Sequence, residues 1–248
     1  RALHLACIWI VAIAVNLFFL WVFAVPFPED ALTRTPHTST MILDRDGRLL
    51  REVLSAEATR GRWVPLAEIS PNLVLATIHA EDRRFRDHAG SDFLAIARSL
   101  WIDLRAGEAR TGASTLTQQT VKLTLQAGAP RDLGTKLMEV IWAWRLEMRL
   151  SKDEILETYL NTVPFLYNAW GIEMAARTYF DKSACTLDVL EGATLVGMLK
   201  GNSYYNPVIN PERAVARRNI VLAQMVKRDK LDEARLAALQ KKPLRIDF

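Results

Sequence analysis

The sequence predicts a mainly α protein, with one transmembrane helix preceding a helical domain. Three observations predict it. No residue from Leu5 to Val25 is charged, and about 20 apolar residues suffice for a helix to cross a bilayer. From Ser70 onward apolar residues return at intervals of three and four, the spacing of one helix face. Helix-start signals recur along the same stretch. The expected division is an anchor at 1–26, a juxtamembrane linker with a short β-hairpin at 27–69, and the helical domain at 70–248.

The uncharged run LACIWIVAIAVNLFFLWVFAV exceeds the apolar core of a cleaved signal peptide, roughly 7–15 residues, and VFAVPFPED offers no convincing cleavage site. Pro26 and Pro28 then end the helix at the membrane surface. A single anchor before a folded domain is expected to leave the N-terminus in the cytoplasm and the domain outside. Cys7 lies in the anchor and Cys185 beyond it, so no internal disulfide is expected. After the anchor, 31 basic side chains face 28 acidic ones. That balance is too mild for a nucleic-acid protein, whose basic footprint is concentrated. It suits a domain near anionic lipid or one that handles phosphates.

MILDRDGRLLREV (41–53) reads as two strands around an Asp46-Gly47 turn. Its Asp44-Arg45-Asp46 superficially matches the acidic pair that holds metal in many sugar-nucleotide transferases. Such pairs are common in turns, and no βαβ pattern surrounds this one, so a turn is expected. Ser70-Pro71 marks a helix start, a cap followed by proline at the first position, for a helix reaching about residue 86. Further helices are expected at 92–105, 114–126, 133–150, 151–161, 171–179, 186–199 and 211–240. Ser151 and Glu154 form a capping box for the 151–161 helix. No repeat or low-complexity tract occurs.

AEDRRFRDHAG (80–90) carries seven ionisable groups in eleven positions. On a helix over 72–86, Val74, Ile78 and Phe85 form an apolar stripe with Glu81 in its middle, Asp82 at its edge and Arg83 opposite. A partly desolvated carboxylate there is suited to proton transfer; a structural acid paired with a buried arginine fits the pattern equally. Glu139 shares a face with Ala143, Leu146 and Leu150, with Trp142 near its edge. That helix is apolar around much of its circumference, so a structural ion pair stays open there too. Two inward acids on separate helices are the arrangement expected for chemistry at a sugar's anomeric carbon.

Between them, GASTLTQQTVK (112–122) is rich in hydroxyls and amides suited to a polyhydroxylated ligand, or simply to a capped helix with a polar face. Lys122, Arg131 and Lys136 follow, able to neutralise a phosphate, arginine as a fork and lysine as a point charge. Competing chemistries lack their parts. Ser114 has no second glycine for a nucleophile elbow. Neither Ser-x-x-Lys nor Lys-Thr-Gly occurs, so this stretch holds no penicillin-sensitive transpeptidase. His79 and His88 lack metal-helix spacing, and His88 reads as a framework residue.

EDRRFRDHAG, GASTLTQQTVK, TKLME, SKDEILETYLN and GIEMAARTYFDK, in this order, resemble the motifs of the peptidoglycan glycosyltransferases (glycosyltransferase family 51). These occur as the N-terminal module of class A penicillin-binding proteins and as monofunctional enzymes. The likeness runs from about Met41 to the C-terminus and includes NPVINPERAVARRNIVL. It implies a lysozyme-like α lobe beside a smaller membrane-dipping lobe, on the extracytoplasmic side of a bacterial inner membrane. It implies lipid II and a nascent glycan strand as partners, with no nucleic acid, a moenomycin-type inhibitor and possible cell-wall synthesis partners. Glu81 matches the catalytic base and Glu139 the second family acid, in the donor half. Lys122, Arg131 and Lys136 match basic positions at the leaving pyrophosphate. Asp82, Ser114, Gln118 and Asn161 match positions that shape the cleft or hold substrate. No cofactor is required by the resemblance, which leaves room for a divalent cation, Mg or Mn, to assist pyrophosphate departure. Thr135 stands where the family has arginine, Ala113 where it has glycine and Leu123 where it has asparagine, while Leu166 and Asp181 stand where glycine is common. Two other functions stay open at this point: a lytic enzyme on a related fold, and a non-catalytic glycan or lipid II binder.

Overall fold

The computed structural model describes residues 2–33, 37–46, 48–107, 112–226 and 232–248. Gly47 of the expected turn lies outside these residues, as does 227–231 within the helix expected over 211–240.

The uncharged run forms one helix, α1 (Ala2–Ala24). Its side chains are described without interruption only from Trp9 to Ala24, where Val22 is buried and most large apolar groups point outward. Among the described residues no helix is long and apolar enough to cross a membrane. A short helix, α2 (Glu29–Thr33), follows Pro28. The expected hairpin forms from β1 (Thr40–Leu43) and β2 (Leu49–Val53), antiparallel with Thr40 opposite Val53. Asp44 Oδ1 accepts the N–H groups of Asp46 (2.9 Å) and Arg48 (2.7 Å). This acid therefore builds the turn. A second pairing has no sequence signal: β3 (Arg60–Gly61) runs parallel to β4 (Ala169–Trp170), and two-residue strands are too short to show alternation.

Helix α3 (Pro71–Glu81) ends at Glu81 rather than near residue 86. Asp82 leaves helical geometry at φ −155°, ψ 83°. Its carboxylate pairs with His88 (2.9 Å), and the chain folds back through Phe85 N–H to Asp82 C=O (3.0 Å). Ser70 occupies the cap position with Pro71 next, as expected, but its hydroxyl makes no capping bond and donates instead to the Leu187 carbonyl at 2.8 Å. Gly90 ends the fold-back at φ +82°, and a Cβ there would lie 2.9 Å from the Ala143 carbonyl. Only glycine supplies both the backbone sign and the clearance.

The remaining helices are α4 (Phe93–Ala106), α5 (Leu116–Thr124), α6 (Leu133–Glu147), α7 (Lys152–Thr162), α8 (Gly171–Phe180), α9 (Val189–Met198), α10 (Pro211–Val226) and α11 (Glu233–Gln240). Ser151 and Glu154 form the expected capping box, and Thr115 with Gln118 and Asp188 with Glu191 form two more. These reciprocal bonds satisfy N–H groups that a helix start leaves without partners. Helices α3, α9 and α10 pack together, α5 packs on α6 and α7, and α7 leads through β4 to α8. Leu73, Leu146, Ile155, Ile172, Leu195 and Leu222 belong to one continuous core under both groups. Helix α4 stands apart, with no buried residue and with Phe93, Leu94, Leu100, Trp101 and Leu104 exposed.

Candidate functional site

A cleft of about 900 Å³ opens between α5, the 127–131 loop, α6 and the C-terminal end of α7. Ser114, Gln119, Lys122, Arg131, Lys136 and Glu139 are among its lining residues. Helix α6 positions the deeper acid. Asp132 caps that helix by accepting the Thr135 N–H at 2.7 Å. Two turns on, Glu139 faces inward with Ala143 and Leu146 and is only 7% exposed.

Glu139 is not left unpaired. Lys136, one turn earlier, donates to its carboxylate, to Ser114 Oγ (2.9 Å) and to Gln118 Oε1 (3.4 Å). One ammonium thus ties the start of α5 to the acid on α6. Gln118 is held further by its capping role and by a bond from Nε2 to Ser91 Oγ (2.9 Å).

Glu81, the last residue of α3, is half-buried. Its Oε2 accepts from Gln119 Nε2 at 3.1 Å, and Gln119 Oε1 accepts from the Tyr159 hydroxyl at 3.1 Å. Burial, and then the charge of Glu81, push the Tyr159 phenol well above its usual pKa. It stays a neutral donor. Glu139 therefore lines the cleft directly, whereas Glu81 is not among its lining residues and is joined to it through Gln119, which is.

Asp82 and Asn161 are spent on the framework. Asp82 is buried, accepting from His88 and from the Leu116 N–H (3.0 Å) at the start of α5. Asn161 clasps the backbone of Val64, accepting its N–H and donating to its carbonyl, both at 2.8 Å. A Cβ at Gly171 would lie 2.8 Å from the Asn161 carbonyl, and its φ of +76° also demands glycine. Lys122 and Arg131 are exposed on the cleft wall, and among the described residues neither is in an ion pair. Thr135, Leu123 and Trp170 line the same cleft. No group of three or more His, Cys, Asp or Glu side chains able to hold a metal ion occurs among the described residues.

Gln119, Tyr159 and Trp170 were not singled out from the sequence. Gln119 adjoins Gln118 but points to another face of α5, as neighbours on a helix do. Tyr159 sits among the apolar residues of α7, where a buried hydroxyl requires a partner; that requirement is the signal that could have found it. Trp170 stacks on His37 at 3.3 Å between ring centroids.

A family model described as Transglycosylase matches residues 46–226. Penicillin-binding protein 2D of Bacillus subtilis (strain 168) is 36% identical over 233 residues, covering 94% of this chain and 33% of its own length. Penicillin-binding protein 1A of Escherichia coli (strain K12) is 41% identical over 187 residues, 75% of this chain and 21% of its own. The crystal structure of penicillin-binding protein 1A from Haemophilus influenzae aligns with 86% of this chain and 22% of its own, with TM-score 0.49 and 23% identity. The chain spans no more than about a third of the length of these curated relatives.

Proposed function

Since the chain belongs to the transglycosylase family, its model match spanning residues 46–226, we propose that it polymerises lipid II into β-1,4-linked glycan with release of undecaprenyl pyrophosphate. The observation that carries this reading is the cationic wall. Lys122, Arg131 and Lys136 line one cleft with Glu139, and a lytic enzyme of similar fold has no pyrophosphate to hold.

Glu81 is the base in this scheme. With Oε2 engaged by Gln119, its other oxygen is available to the 4-hydroxyl of the acceptor's GlcNAc. As the proton passes to Glu81, that oxygen attacks the anomeric carbon of the lipid-linked MurNAc. The bond from that carbon to the pyrophosphate oxygen breaks, inverting the centre to β. Holding both sugars in line supplies much of the rate, and the base contributes roughly 10²- to 10⁴-fold. Charge developing on the leaving pyrophosphate is met by Lys122 and Arg131, cations left free to close on it. Glu139 holds Lys136 toward the donor half. A divalent cation does not fit as a built site: the described residues offer no cluster of donors, and Glu139 is engaged by Lys136.

The uncharged length of α1 supports a single-pass anchor, with the domain on the extracytoplasmic side. The exposed apolar residues of α4, together with Leu133 and Leu137 at the start of α6, support a lobe that dips into the bilayer surface and reaches lipid-linked substrate.

Purified protein incubated with labelled lipid II should yield a ladder of glycan products on a gel. Glu81→Gln should lower the rate by about 10³-fold while leaving lipid II bound. Wild-type protein that binds lipid II without making polymer would instead indicate a binding protein, and shortening of preformed glycan a lytic enzyme.

A further inference from the structure

Resting on the proposed reaction, the geometry points to Tyr159 as a positioning residue that sets the orientation of the Gln119 amide and so decides which oxygen of Glu81 acts as base. A carboxamide has two ends of opposite character, and rotation by half a turn exchanges them. Between Tyr159 and Glu81 only one arrangement satisfies all three groups when Glu81 is ionised. The hydroxyl donates to Oε1 and the amide nitrogen donates to the carboxylate, as observed at 3.1 Å each. The reversed amide would set its carbonyl oxygen against a carboxylate.

What prevents reversal is the burial of Tyr159. It is 1% exposed and its ring belongs to the core, so its hydroxyl is held at the cleft's edge with Gln119 as its acceptor. Tyr159 stands on α7, Gln119 on α5 and Glu81 at the end of α3, so the relay crosses three helices. One lobe of the Glu81 carboxylate is thereby fixed, and the remaining lobe is the one presented to a substrate hydroxyl. Loss of the phenol oxygen leaves the amide free to turn, and Glu81 then samples orientations that are not productive.

The test uses the full chain in detergent with lipid II, in wild type, Tyr159→Phe, Gln119→Met and the double variant. Tyr159→Phe keeps the ring and its packing. It should lower kcat by about tenfold, the scale of a modest misplacement, with KM and thermal midpoint unchanged. In the Gln119→Met background the same change should cost nothing more, since residues acting through one contact are not additive. Full additivity, or unchanged kcat in Tyr159→Phe, overturns the proposal.

A second measurement is independent of turnover. With isotope-labelled glutamine, the side-chain amide signal lost in Gln119→Met should be sharp in wild type and shifted or broadened in Tyr159→Phe. An unaltered signal overturns the relay. A wild type that makes no glycan refutes the proposed function, and the amide signal still decides the relay.

Discussion

The segment from Asp82 to Gly90, which follows Glu81, is tied at each turn; on the wall of the cleft, Lys122 and Arg131 face solvent. Glu147, near the end of α6, accepts from Gly90 N–H (3.1 Å), Thr117 Oγ1 (2.6 Å) and Lys152 Nζ (2.6 Å). Lys152 also donates to the His88 carbonyl at 2.6 Å and lies over the Phe85 ring at 4.6 Å. The same segment is held from its other end by His88 and Asp82. No such ties reach Lys122 or Arg131 among the described residues. Under the proposed reaction the difference is a division of labour: the base is held still before substrate arrives, and the cations are left unpaired so that the ligand's phosphates complete them.

Breaking the tied side should give the largest effect. Glu147→Ala removes a carboxylate whose side chain is 8% exposed and leaves Lys152, at 20%, without its counter-charge. Such losses cost about 3 kcal/mol or more, which at this chain length lowers the thermal midpoint by roughly 6–12 °C. Activity at a permissive temperature should fall as well, because the Gly90 turn loses its anchor. A midpoint within a degree of wild type would show that the segment is held by something other than Glu147.

The tied side was also the harder one to foresee. Helical phase placed Glu139 inward with Ala143 and Leu146, and all three are buried. The same reasoning put Glu81 on a stripe with Val74 and Ile78. Those two are half-buried, and the fully buried face of α3 is Leu73, Ala76 and Thr77. Periodicity thus placed Glu81, toward the core or a cleft, on a partly buried face whose Val74 and Ile78 pack against the core, one step round the helix from the fully buried face. Asp82 escaped it altogether, since its burial follows from a backbone that has left the helix. Helix positions and the 151–154 capping box were legible because they depend on local chemistry. The β3–β4 pair, the bonds from Gly90 and Thr117 to Glu147 and the Gln119–Tyr159 contact join residues 30 or more positions apart, where a single sequence carries no signal.

The untied side should respond in activity and not in stability. Lys122→Ala and Arg131→Ala remove exposed cations with no partner to strand, so the thermal midpoint should hold within measurement error. Each should lower the glycan polymerisation rate by about 10²-fold, the usual cost of deleting one donor to developing charge. A parallel loss of stability would mean that these side chains are structural and that the division between the two sides is wrong.

Thr135 allows the comparison to be sharpened by addition. It lines the cleft on the first turn of α6, beside the exposed cations. Its N–H caps onto Asp132, a bond that any side chain except proline preserves. Thr135→Arg adds a guanidinium to the wall that is already short of partners. If that wall exists to receive phosphate, donor KM should fall by up to about tenfold, equal to roughly 1.4 kcal/mol. The competing sink is close by. Asp132 is exposed, and the N–H and hydroxyl of Thr135 hold its carboxyl below the usual range, so it is ionised and able to draw the new guanidinium to itself. The two outcomes separate cleanly. Pairing with Asp132 leaves KM unchanged, and adding Asp132→Asn then releases the effect. A lower KM from Thr135→Arg alone places the guanidinium on substrate, which is what an unpaired cationic wall predicts.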